Sequence, residues 1–507
     1  MTELMSGVEG MADWIRSVAP GAQLAADSRR IARGDVFVAY PGDEADGRRY
    51  VGDAIERGAA AVVYEAVGAD DAADWAVPHL AVDRLKEQAG ELAAHYYGRP
   101  DRAMTTVAVT GTNGKTSCTQ WLGRLLSRLG EPTGVIGTLG VGLCRNGAAE
   151  EFRTTGYTTP DAVLLQRTLA ELKQQGVCAL AIEASSIGLH QGRMAGMHVD
   201  IALFTNFTRD HLDYHGDMAA YEEAKTMLFD WPGLRHAIVN LDDPMGLRLV
   251  ARLKQRRPEV GILGYTLTGR TLEGVETLRA RDVRSTQAGT AFQLGWRRES
   301  LPVRSQVVGR FNVSNLLGII GVLVAHGVAW RKAAGAVEAL TPVPGRMQQL
   351  GGGEAPLVII DYAHTPDALE KVLASLRGVA DERGGKLWCV FGCGGDRDKG
   401  KRPQMGKAAA VADHVIVTTD NPRNEEPSAI IAQIVAGFDG TGRTPQVIED
   451  RATAILWAGH HAARQDVILL AGKGHEAYQE VKGRKLPFLD ADHAALALSS
   501  RVMKGGG

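Results

Sequence analysis

The stretch Val107-Ala-Val-Thr-Gly-Thr-Asn-Gly-Lys-Thr-Ser117 limits what this chain can fold into more sharply than any other. The β-branched run Thr105 to Thr110 predicts a short buried strand, broken by Gly111-Thr-Asn-Gly114. Behind the break, Trp121, Leu122, Leu125, Leu126 and Leu129 recur on one face of a helix. Strand, glycine turn and helix N-terminus in that order make an anion site, because glycines let main-chain N–H groups turn inward and the helix dipole favours negative charge. Lys115 adds a cation, Thr116 a hydroxyl suited to Mg²⁺, and Ser117 completes the first turn. Val109 stands where the common phosphate-loop spacing puts a glycine, so this is the shorter form Gly-x-x-Gly-Lys-Thr. Taken alone, it also fits an ordinary glycine turn capping a helix. Lysine and threonine directly behind Gly114 favour a nucleoside triphosphate site.

At 507 residues the chain exceeds one core, and length suggests about three domains. A hydrophobic content of 45% with 23% charged residues describes an ordinary globular protein. The net charge of −2 offers no broad basic field for nucleic acid. No apolar run is long enough to cross a bilayer, and the start lacks the basic-then-apolar layout of a signal peptide. The five cysteines, Cys118, Cys144, Cys178, Cys389 and Cys393, contain no paired zinc-ligand spacing and are expected to be buried reduced thiols. A cytoplasmic protein without membrane insertion is expected.

Along the chain, short strands alternate with helices. Asp35 to Tyr40 and Ala60 to Tyr64 read as strands, Tyr50 to Arg57 and Leu85 to Tyr97 as helices, and Gly98 to Arg102 as a hinge. From 103 to 342 the pattern is strand–helix with strongly apolar strands, followed between Leu278 and Val308 by alternation suggesting a small antiparallel sheet at one edge. The last third repeats the parallel theme, and Gly505-Gly-Gly507 is expected to be disordered. Polar clusters follow the strands: Glu183-Ala-Ser-Ser186, Thr205-Asn206, Asp361-Tyr-Ala-His364, Gly392 to Arg397, Asp420-Asn-Pro-Arg423 and Ala471 to Glu476. In open α/β sheets ligands bind beyond the carboxyl ends of strands, so this regularity argues for a substrate cleft.

Glu183 ends an apolar strand, where a carboxylate is costly unless it meets a cation, and His211 follows the next strand. Carboxylate and imidazole beside a nucleotide loop suit Mg²⁺ or Mn²⁺; a helix cap and a surface histidine are the plainer alternatives. By pattern, Lys225 is a solvated helix lysine, and Asn312 and Asn315 are a cap and first turn.

Together, Gly111 to Thr116, Glu183 to Ser186, Asn206 to His211, Asp361 to His364 and Asp420 to Arg423 resemble the Mur ligases, in order and over nearly the whole chain from Asp27-Ser-Arg29 to Gly474-His-Glu476. The resemblance implies an α/β protein of three domains. A central, mostly parallel P-loop ATPase sheet (103–342) would be flanked by an N-terminal α/β domain for a uridine nucleotide (1–102) and a C-terminal Rossmann-like domain (343–507).

It also implies an ATP-dependent ligase of peptidoglycan precursor synthesis, working as a monomer. Ser28, Thr158, Thr159, Ser185, Gln191 and Arg193 match positions that bind the UDP-MurNAc-L-Ala-D-Glu substrate. Gly111, Thr112, Asn113, Gly114, Lys115, Thr116, Ser117, Asn312, Arg346 and Asp361 match ATP contacts. Thr116, Glu183 and His211 match metal ligands, and Lys225 matches a lysine carbamoylated by CO₂, which would turn a cation into an anionic oxygen ligand. Lys115, Lys225 and His211 are the catalytic candidates. Asp420, Asn421, Pro422 and Arg423 resemble the motif of relatives that add meso-diaminopimelate, where arginine can grip the extra carboxylate with two prongs; Arg397, Gly472 and Glu476 match the remaining amino-acid contacts.

Two departures stand out. Ile187 and His190 occupy a segment where relatives often carry histidine directly after the serines, and Asp43-Glu44 replaces a frequent histidine–glutamine pair. The competing readings are a folylpolyglutamate synthetase type, which shares the ATPase core, and a regulator using ATP only as a switch.

Overall fold

The computed structural model describes residues 7–42, 45–68, 75–286 and 289–502, which leaves Asp43-Glu44 and the terminal glycines outside the described residues. Three large sheets follow one another along the chain, each built from apolar runs whose alternate residues face opposite cores.

The first is a parallel four-stranded sheet, Leu24–Ala25, Val36–Ala39, Ala61–Glu65 and His79–Val82. Val36 and Val38 pack on Met11, Ile15 and Leu92 of the helices Val8–Val18 and Leu85–Tyr96, while Phe37 and Ala39 pack on Val51 and Ala54 of the opposite face. The expected hinge is a tight turn, Pro100–Ala103, with Pro100 and Asp101 buried and the Asp101 carboxylate accepting from His198 N. A Cβ on Gly90 would stand 2.4 Å from Ala195 O, so only glycine lets this helix approach the turn at Ala195 so nearly.

The second sheet has eleven strands. At its centre Thr105–Thr110 pairs in parallel with Ala179–Glu183 on one side and Ile201–Phe204 on the other, setting Val109 opposite Glu183 and Thr110 opposite Phe204. Val107, Val109 and Leu203 pack against Trp121 and Leu122 of helix Lys115–Arg128 and Leu316 of helix Arg310–Ala325. Ala108, Ile182 and Phe204 pack against Leu165, Leu169 and Leu249 on the other face. The expected edge sheet is present but continuous with this one: Glu276–Thr286 joins it in parallel, and Gly289–Trp296 and Glu299–Ser305 add antiparallel strands.

The third sheet runs Gln348–Gly351, Leu357–Asp361, Val467–Ala471, Leu387–Phe391, His414–Val417 and Gln446–Val447, parallel except at its first edge. Asp361 and Phe391 both lie opposite Ala471, so the loops after these strands open at one end. Among the described residues no helix is long and apolar enough to cross a membrane. Four cysteines are buried free thiols, but Cys178, just before the strand Ala179–Glu183, is exposed, correcting the expectation for that residue.

Candidate functional site

The glycine loop closes over the end of the central strand as its sequence requires. Gly111 has φ +144, and a Cβ there would stand 1.9 Å from Thr205 Oγ1; Gly114 has φ +90, with Asn315 Oδ1 2.6 Å from the same point. Neighbouring strand ends pin the loop. Thr205 Oγ1 donates to Asn113 O (2.6 Å), Asn206 Oδ1 accepts from Asn113 N (3.0 Å), and Thr112 N donates to Asn206 O (2.8 Å). Ser117 and Thr116 are buried in the first turn of the following helix.

Two lysines converge on this loop. Lys115 Nζ donates to Gly111 O and Thr112 O, each at 2.8 Å, and Lys225 Nζ donates to Gly111 O at 2.9 Å. Lys225 is not solvated: it is 1% exposed, with its ammonium 4.4 Å from the Tyr221 ring centroid. Burial, and then the charge of Lys115, hold Lys225 well below the ordinary lysine range; burial likewise lowers Lys115. Two amines sharing one carbonyl oxygen form a site that gains from anionic oxygens.

Glu183 is 1% exposed and accepts from Thr138 N (2.9 Å) and Thr138 Oγ1 (3.1 Å), in a space kept open by Gly137, whose Cβ would stand 2.2 Å from Glu183 Oε1. His211 adopts φ +52 and has its Nε2 3.5 Å from Asp210 Oδ2; burial lowers its pKa to about 4, so the ring is neutral at pH 7 and keeps a lone pair. Among the described residues no three His, Cys, Asp or Glu side chains gather into a metal site. A cation here therefore needs hydroxyl and ligand oxygens besides Glu183 and His211. Thr116 is 3% exposed, and its hydroxyl lies 3.2 Å from Arg346 Nη2. Oxygen and imidazole donors without thiolate fit Mg²⁺.

One connected network holds the residues expected at the second substrate. Thr159 Oγ1 donates to Glu183 O (2.8 Å) and lies 2.9 Å from Ser185 Oγ, which caps the next helix by accepting from Gly188 N (3.0 Å). Arg193 donates to Thr159 O (3.1 Å) and Gln191 Oε1 (2.8 Å), and Thr158 Oγ1 lies 3.3 Å from Thr138 Oγ1. Ser28 is buried in the turn Ser28–Arg30, whose Arg30 donates to Thr155 O at 2.9 Å, joining the first sheet to this network.

On the other side of the loop, Asn312 donates to Val308 O (2.9 Å) and accepts from Asn315 Nδ2 (3.3 Å). Buried Asp361, its pKa raised by burial, accepts from Met347 N and Ala363 N, each at 2.8 Å. Arg346 lies 4.3 Å from the Tyr362 ring centroid.

Loops of the third sheet form a further cluster. Asn421 Nδ2 donates to Glu476 Oε2 (2.9 Å), while Arg423 donates to Gly395 O (2.7 Å) and Glu480 Oε2 (3.2 Å). The Pro422 carbonyl passes so near Gly395 that a Cβ there would meet it at 1.9 Å. A cleft of 1050 Å³ joins both halves, lined by Thr138, Thr158 and His211 and by Arg397, Asp420, Asn421, Arg423, Gly472 and Glu476. Lys115, Lys225, Asn312, Asp361 and Ser28 lie outside that lining. Sequence reasoning passed over Lys473, fully buried between Asn421 and Glu476; its signal was a lysine between two glycines directly after a strand.

Comparison with known proteins gives a consistent picture. Residues 22–97 match the pattern described as "Mur ligase family, catalytic domain", 109–323 "Mur ligase middle domain", and 345–474 "Mur ligase, glutamate ligase domain". A UDP-N-acetylmuramoyl-L-alanyl-D-glutamate--2,6-diaminopimelate ligase from Janthinobacterium sp. (strain Marseille) is 72% identical over 493 residues, covering 97% of each chain. A solved structure bearing the same enzyme name is 35% identical with a TM-score of 0.66, covering 96% of this chain and 99% of that one. The folylpolyglutamate synthase of Mycobacterium tuberculosis, solved with ADP and AMPPCP, shares the fold at 19% identity and a TM-score of 0.57, covering 75% of this chain and 91% of that one.

Proposed function

The chain belongs to the Mur ligase family, and on that premise we propose that it is the ATP-dependent ligase joining meso-2,6-diaminopimelate to UDP-MurNAc-L-Ala-D-Glu in peptidoglycan precursor synthesis. The observation that carries the reading is the shared cleft, in which Arg423, Asn421 and Glu476 face the same space as Thr158 and His211. Residues 1–102 take the uridine nucleotide, 103–342 bind and split ATP, and 343–507 bring the amino acid, the protein acting as a cytoplasmic monomer.

The γ-phosphoryl group of ATP passes to the free side-chain carboxylate of the D-glutamyl residue, its P–O bond to the β-phosphate breaking and ADP leaving. The amine of diaminopimelate attacks the resulting acyl phosphate; the C–N bond forms, the C–O bond breaks, phosphate leaves and the ammonium proton goes to solvent. Gly111 to Ser117 cradle the ATP phosphates, with Lys115 moving from the carbonyls of Gly111 and Thr112 onto them. Asn312, Arg346 and Asp361 hold the rest of the nucleotide. Ser28 binds the uridine end of the other substrate, and Thr158, Thr159, Ser185, Gln191 and Arg193 its muramoyl-peptide end. Thr116, Glu183 and His211 would hold Mg²⁺ together with a carbamate on Lys225, formed when the neutral amine adds to CO₂ and gives up a proton. When bound, the ion spreads the charge of the phosphoryl group in transfer. Arg397 and Arg423 take carboxylates of diaminopimelate, Glu476 an ammonium, and Asp420, Asn421, Pro422 and Gly472 shape the pocket around them. Closing the third domain on the cleft excludes water from the acyl phosphate.

ATP turnover is the test. A ligase releases phosphate at speed only when the UDP substrate and diaminopimelate are both present, and omitting either drops release to background. A nucleotide switch hydrolyses ATP without them, and that result would overturn the proposal.

A further inference from the structure

Lys473 follows the strand Val467–Ala471 between Gly472, at φ +109, and Gly474, at φ +54. A Cβ at 472 would stand 2.6 Å from Asp420 Oδ2, and one at 474 would stand 2.7 Å from Gly345 O, so the main chain is turned tightly on both sides of the lysine. Its side chain is 0% exposed, and an ammonium in the interior is costly unless hydrogen-bonded and paired. Here it donates to Asn421 Oδ1 and Glu476 Oε2, each at 3.1 Å, with Asp420 Oδ1 at 3.7 Å.

These bonds decide the orientation of two groups that line the cleft. Asn421 Oδ1 takes Lys473 Nζ and also Glu480 N (3.0 Å), so the amide nitrogen must face Glu476 Oε2, which it meets at 2.9 Å. Glu476 Oε2 thus receives two inward donors, while Oε1 has no hydrogen-bond donor among the described residues and Glu476 lines the cleft. Two carboxylates, Asp420 and Glu476, flank one ammonium, so these three groups together carry one net negative charge.

We propose that Lys473 is a positioning residue for the amino-acid substrate: by fixing the Asn421 amide and the Glu476 carboxylate, it presents one Glu476 oxygen and a single net negative charge to the substrate's ammonium. The inference rests on the ligase reading above. Steady-state kinetics of Lys473→Met, Glu476→Gln and the double variant test it, with each substrate varied in turn. Loss of charge-assisted hydrogen bonds predicts a KM for diaminopimelate raised at least about ten-fold in Lys473→Met. The KM values for ATP and the UDP substrate should stay within about two-fold, and the double variant should resemble Glu476→Gln alone, because one residue acts through the other. If Lys473→Met does not fold, Lys473→Gln, neutral but still a donor, carries the same comparison. An unchanged KM for diaminopimelate, a parallel rise for all three substrates, or effects that multiply in the double variant would overturn the inference. Absence of any diaminopimelate-dependent product from the unsubstituted protein would overturn the ligase reading and this inference with it.

Discussion

Lys225 shows how a single residue's role can hide from its own neighbourhood in sequence. Its helix, Met218–Thr226, fits a solvated lysine as well as a buried one, and what buries it is the Tyr221 ring and the Gly111 carbonyl of a loop far away along the chain. If its amine takes up CO₂, ¹³C-labelled bicarbonate should give a protein-bound carbamate signal that Lys225→Met lacks. The same substitution should lower product formation at least about a hundred-fold, as expected when a group that organises charge in transfer is removed. A signal unaffected by the substitution, or a variant with full activity, would contradict the assignment. Glu183 was more legible, because a carboxylate closing the run Ala179-Leu-Ala-Ile-Glu183 stands out in sequence. Lys473 was not, because nothing local says that Asn421 will arrive beside it.

At the scale of elements, the loop Gly111 to Gly114 works only with its glycines. Gly114→Ala forces a Cβ into φ +90 and to 2.6 Å from Asn315 Oδ1, and should cost about 1–3 kcal/mol of stability, read from the urea midpoint, together with weakened ATP binding. An unchanged midpoint and affinity would show that the loop tolerates a side chain there. The parallel strands were legible because each is a short apolar run ending in polar residues, as in Leu357–Asp361 and Leu387–Phe391. Where the antiparallel strands attach was not, since joining the edge of the central sheet depends on the pairing of Leu263 to Thr266 with Glu276 to Arg279 rather than on any local pattern. The stretch from Gly98 to Arg102 reads as a hinge by composition, and in the structure Pro100–Ala103 forms a short helical turn with Pro100 and Asp101 buried.

Across the whole molecule, side-chain ties join the sheets: Arg30 to Thr155 and Arg167 to Asp35 link the first to the second, and Arg346 to Thr116 the second to the third. Half-buried imidazoles make the assembly sensitive to acid. Burial lowers His211, His215 and His475 to about 4, below the ordinary 6.5, so between those values the folded chain binds fewer protons than the unfolded one. Their contribution is complete above about pH 6.5 and is lost as the pH falls toward 4, whereas Asp161, Asp243 and Asp361, raised by burial, act in the opposite sense at the lower end. The melting temperature should therefore be lower at pH 5 than at pH 7.5; an equal or higher value would contradict the balance drawn from these groups. What the cleft receives as its amino acid is the question on which the ligase assignment turns. Its most direct test is phosphate release and product mass with ATP, Mg²⁺ and UDP-MurNAc-L-Ala-D-Glu, comparing meso-diaminopimelate with L-lysine. Arg423 predicts fast release and a tripeptide product with diaminopimelate and near-background release with lysine; equal or faster reaction with lysine would rule out diaminopimelate as the preferred amino acid.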